Sequence, residues 1–140
     1  MSEQQHEQWT VSRLLLPPGF WSNVGRLVAQ AAGWHHIFIR AELQQDADGL
    51  RALQVLSSKD NKVLGWVCMP AETTRTTVLG VHFLTPGGTR AGDEWLVQIG
   101  QTAGTSLELL ELKAAIVRAD VPSWELMQVM EAQDEQTPKI

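Results

Sequence analysis

Between residues 34 and 100 the chain repeats one device: a short run rich in branched and aromatic side chains, then a cluster of turn formers. The runs WHHIFIRAEL, LRALQVL, KVLGWVCM, TTVLGVHFL and EWLVQI are separated by QQDADG, SSKDN, PAETTR and TPGGTRAGD. Apolar side chains at every second position put one face of a strand into a core, and Gly, Pro, Asn, Asp and Ser end the run. If each neighbouring pair of runs forms a hairpin, parity sends Ile37, Leu53, Trp66, Cys68, Val81 and Val97 to one face of a five-stranded antiparallel meander. The other face mixes Trp34, Phe38, Val78 and Leu84 with His36, Arg40, Glu42 and His82.

The flanks read differently. WTVSRLLL (9–16) is a short strand ended by PPG. In FWSNVGRLVAQAA, residues Trp21, Val24, Val28 and Ala31 share a helical stripe, and Gly33 stands where a left-handed cap would end the helix. TSLE (105–108) has the spacing of a capping box before LELLELKAAIVRA, whose broad apolar stripe predicts a well-buried helix; the same residues also read as a strand. Ser123 is placed to cap a last short helix, with Trp124, Met127 and Met130 aligned. The expected architecture is therefore α+β: a five- to six-stranded antiparallel meander sheet packed by a helix at 20–32 and by C-terminal helices. It forms a single domain over 9–132, with polar tails at 1–8 and 133–140.

Composition removes several function classes. A net charge of −5, with eleven basic residues scattered singly, opposes phosphate-driven nucleic-acid binding. The acidity is concentrated late: eight basic face seven acidic side chains before residue 93, and three face nine from there on. Electrostatic steering at the C-terminal end would thus favour basic partners. No run reaches the length of a membrane span and the N-terminus lacks a signal-like apolar core, so the expected location is cytoplasmic. The single Cys68 excludes an internal disulfide and reads as a small core side chain.

Candidate chemistry is sparse. Adjacent His35 and His36 on a strand point to opposite faces and cannot chelate one ion. The hairpin registers place His82 level with Phe38 but three strand spacings from it, about 14 Å, too far to share a metal with His36. They also put Cys68 and His82 on opposite faces, which opposes a thiol–imidazole dyad. Ser57, Ser58, Ser106 and Ser123 fit turns and caps, and TPGGTRAGDE lacks a P-loop signature. No catalytic residue, metal site or cofactor is expected.

The apolar surplus on the second face points instead to a non-catalytic, acidic protein-interaction module of adaptor, chaperone-like or inhibitor type, binding a protein partner or a second copy of itself. Its expected contact residues are Trp34, Phe38, Arg40, Trp124, Met127 and Met130. The alternative is a small apolar-ligand binder or enzyme with a pocket between helix and sheet, where His35, Cys68 or His82 would be the polar handle.

Overall fold

The computed structural model describes residues 6–19, 21–46, 48–72 and 74–120. Within them the chain is all-β: β1 (His6–Leu16), β2 (Trp21–Val28), β3 (His35–Leu43), β4 (Leu50–Ser57), β5 (Val63–Pro70), β6 (Thr77–Leu84), β7 (Glu94–Gln101) and β8 (Leu107–Arg118). Two four-stranded antiparallel sheets result, in the orders β1-β8-β3-β6 and β2-β7-β4-β5. Successive strands therefore alternate between sheets, except that β4 and β5 stay together as a hairpin. Eight strands wound in this way make a jelly roll.

The core lies between the sheets. Ile37, Ile39, Leu79, Leu112 and Ile116 from the first sheet meet Leu27, Leu53, Val55, Val97 and Ile99 from the second. Each is essentially withdrawn from water, which for a Leu or Ile side chain is worth about 1.5–3 kcal/mol. At one end of the core the buried amide of Gln101 donates to the carbonyls of Leu16 (2.9 Å) and Thr105 (3.1 Å) and accepts from the Ala103 N–H (2.7 Å). This single side chain closes two loops that would otherwise leave unpaired backbone groups inside.

The α+β expectation is overturned in both predicted helices, for two different reasons. Residues 20–32 lie largely in β2, which carries an irregularity between Asn23 and Gly25. The bulge sends Val24 and Leu27 both inward, three residues apart, and so imitates helical spacing. Residues 107–117 form β8, a central strand between β1 and β3 with apolar groups buried on both faces. A strand covered on both sides loses alternation and cannot be told from a buried helix by its pattern. The C-terminal helix expected at Trp124, Met127 and Met130 falls outside the described residues.

The meander is corrected as well. Of the four expected hairpins only β4–β5 exists; β3 pairs with β6 and β8, and β4 pairs with β7 as well as β5. Trp66 and Cys68 turn outward instead of inward. A register shift at Val55/Leu56 inserts Leu64 as an extra residue opposite β4, so Leu64 and Val67 pack on the core and the alternation beyond them is inverted. The rest of the predicted apolar face does point into the core, but it is divided between two opposed sheets.

Candidate functional site

Two outer faces remain after the core is filled. On the second sheet, the antiparallel registers align Trp21, Gly100, Ala52 and Cys68 in one row across the four strands, and Asn23, Gln98, Gln54 and Trp66 in the next. Gly100 forms the floor of the first row: a Cβ there would sit 3.2 Å from Cε3 of the Trp21 ring. Around this floor lies an open groove of about 200 Å³ lined by Trp21, Leu50, Ala52, Cys68 and Gly100. The second row is an amide ladder, with Gln54 Nε2 donating to Gln98 Oε1 (2.7 Å) and Gln98 Nε2 donating to Asn23 Oδ1 (2.6 Å).

Exposure decides what this face offers. Trp66 is 68% exposed, Leu50 48% and Trp21 47%, and Cys68 is exposed between them. The third row, Arg26, Leu96, Leu56 and Val63, brings a charge only at its β2 edge, where Arg26 is 3.2 Å from Glu94. A solvated outer sheet face ordinarily carries charged side chains, so this one is unusually apolar.

On the first sheet, β3 and β6 are direct neighbours, pairing Phe38 with His82 and His36 with Leu84. His36 and His82 are thus diagonal cross-strand neighbours, with His36 Nδ1 3.1 Å from His82 Nε2. The expected 14 Å separation is corrected here: the row level was right, but the intervening strands belong to the other sheet. Phe38 stacks on the His82 ring, with centroids 4.2 Å apart and planes 20° from parallel, and is 4% exposed with Ala115 and Val117 buried beside it. Burial lowers the pKa of both histidines, and in His36 the neighbouring His82 lowers it further.

The sequence-predicted residues are scattered. Trp34 is exposed at the end of the sandwich with its ring over Gly87, and Arg40 is half-buried in the row between Gly80 and Lys113. Trp124, Met127 and Met130 lie outside the described residues. His35, Cys68 and His82 are not brought together. His35 is buried at one end of the core, its ring Nδ1–H donating to the Gly33 carbonyl at 2.9 Å. Cys68 and His82 occupy outer faces of opposite sheets, so no thiol–imidazole pair exists. The pocket between helix and sheet has no counterpart among the described residues, which contain no helix. Sequence reasoning missed Trp21 and Trp66 as surface groups; the amides Asn23, Gln54 and Gln98 beside them are the signal that marks those positions as outward.

Among the described residues no group of three or more His, Cys, Asp or Glu converges on a metal-sized space. Nor does a helix among them have the length and hydropathy to cross a membrane. No family model and no curated protein matches the chain. Its likenesses are structural. A chain of the T13 infectious bursal disease virus particle superposes with a TM-score of 0.59 at 11% identity, over 84% of this chain and 32% of that one. Eiger TNF from S. frugiperda gives 0.56 at 10% identity, over 98% and 100%. The globular domain of zebrafish complement 1qA gives 0.50 at 12%, over 80% and 100%. The likeness is one of fold. At these identities it carries no residue-level correspondence, and the chain spans about a third of the viral-particle protein it matches.

Proposed function

We propose that this chain is a non-catalytic interaction module that self-associates through the outer face of its second sheet. The observation that carries the reading is the exposure of Trp21, Leu50 and Trp66 around Gly100 and Ala52, beside a central row of amides, with the charged Arg26–Glu94 pair towards the β2 edge. In a two-fold contact a patch meets its own copy, so a patch of a single charge sign would repel itself. Amides both donate and accept, and apolar groups have no sign. The Asn23–Gln98–Gln54 ladder and the tryptophans flanking it are therefore self-complementary in a way a charged patch is not. Tryptophans at the centre of such a contact are the side chains from which binding energy is usually drawn. The viral-particle chain that shares this fold is a component of an assembled particle, which supports the reading.

Sedimentation velocity over a range of concentrations tests it. The wild-type protein should form a dimer whose population rises with concentration, and Trp66→Glu or Trp21→Glu should weaken association by about thirtyfold or more, the loss of one central hot spot. Unchanged circular dichroism would show that the variants keep the fold. A wild-type protein that stays monomeric throughout, or a dimer indifferent to both substitutions, overturns the proposal.

The same face bears on location. An exposed thiol in an apolar patch, as at Cys68, persists unoxidised where thiols are kept reduced, which supports a reducing compartment such as the cytoplasm as the module's location. Recovery of a Cys68-linked disulfide dimer from cells lysed with a thiol-blocking reagent would contradict that placement.

A further inference from the structure

We infer that His36 and His82 form a two-imidazole site for a divalent transition ion of the copper–nickel–zinc class on the outer face of the first sheet. The geometry carries this. Two nitrogens bound to one zinc ion at about 2.0–2.1 Å in adjacent coordination positions are roughly 2.9–3.4 Å apart. His36 Nδ1 and His82 Nε2 are 3.1 Å apart. That separation is set by the fold: β3 and β6 are hydrogen-bonded neighbours, and the residues sit on one diagonal of the ladder.

The remaining features suit an ion. Phe38 stacks flat on His82 and limits how that ring can turn. His82 is exposed and His36 half-exposed, so water can complete the coordination shell. Burial lowers the pKa of both histidines, which favours the neutral imidazole whose lone pair can bind an ion. When the ion enters, the proton shared between the facing nitrogens moves to the outward nitrogen of its own ring, and no net proton is released. Because both ligands are imidazole nitrogens and no carboxylate or thiolate joins them among the described residues, the pair suits Cu²⁺, Ni²⁺ or Zn²⁺ and not Mg²⁺ or Ca²⁺. This site lies on the sheet opposite the self-association face and is independent of it.

The test is titration of the full chain with ZnCl₂, and separately with CuCl₂ and MgCl₂, followed by ¹⁵N-edited NMR of the histidine side chains and by calorimetry. One equivalent of Zn²⁺ should shift the His36 and His82 ring signals together, Cu²⁺ should bind more tightly, and MgCl₂ should do nothing. His36→Ala and His82→Ala should each weaken Zn²⁺ binding by about tenfold or more. Cys68→Ser should leave it unchanged, which separates this site from the exposed thiol. Zinc binding equal in the wild type and the His36→Ala/His82→Ala double variant, or abolished by Cys68→Ser, overturns the inference.

Discussion

Trp9 lies directly on Gly25: a Cβ at position 25 would come within 2.4 Å of the indole Cη2, and the indole Nε1 donates to the Arg26 carbonyl at 2.8 Å. The contact joins β1 and β2, edge strands of opposite sheets, along one flank of the sandwich. The opposite flank repeats the device. Phe83 of β6 covers Gly65 of β5, where a Cβ would meet the ring at 2.6 Å. Both glycines sit at register shifts, so a bulge and a missing side chain together make room for an aromatic plug.

Gly25→Ala should therefore cost about 1–3 kcal/mol by overpacking, read as a lowered denaturation midpoint. In a Trp9→Leu background the same substitution should be nearly neutral, because the clashing ring is gone. Additive losses in the double variant would show that Gly25 is needed for something other than the indole.

Phe38 faces outward from its sheet and is nevertheless buried, so Phe38→Ala should cost about 3–5 kcal/mol, as in a core. Leu84→Ala, half-exposed on the same face, should stay within about 0.5 kcal/mol. Chemical denaturation of both variants checks this, and equal losses would be evidence against the buried cluster.

Gln101→Leu keeps the volume but strands two carbonyls and one N–H inside the protein. The expected loss is about 3 kcal/mol or more, since each buried unpaired group costs roughly 1–3 kcal/mol. A neutral result in thermal denaturation would mean that water enters the site and replaces the amide.

His35 makes stability depend on pH. Burial lowers its pKa most, the Gly33 carbonyl raises it, and Arg118 and Asp120 act in opposite directions, so the folded value lies below that of the unfolded chain. Between the two values the unfolded chain takes up a proton and the folded chain does not. The stability contribution is thus full above about pH 6.5 and declines as the pH falls through that value. His36 and His82 shift in the same direction and steepen the decline. Urea denaturation at several pH values between 5 and 7.5 should show a shallower slope for His35→Gln than for the wild type; an identical slope would remove His35 from the account.

Much of the burial pattern was legible in the sequence, and for a reason visible at Ile37, Leu53, Val81 and Val97. Alternation tells which side chains avoid water, and it leaves the same mark whether those residues share one sheet or face each other across two. It failed where the backbone departs from regular pleating. The Asn23/Gly25 irregularity gave β2 a helix-like spacing, the extra Leu64 inverted Trp66 and Cys68, and double burial of β8 erased its period. The candidate sites suffered most, because His36–His82 and the Trp21–Trp66 face both depend on which strands are neighbours.

From the residues alone it follows that the runs between residues 34 and 100 are strands that bury alternate side chains, and that a lone cysteine leaves no internal disulfide. Local side-chain preference and period-two patterning decide those matters, and both act over a few positions. Strand order, bulge positions and the resulting outer faces belong to the tertiary structure, because pairing β3 with β6 across 46 positions at His36 and His82 depends on long-range competition among all eight strands for hydrogen-bonding partners. No short stretch of sequence carries that information.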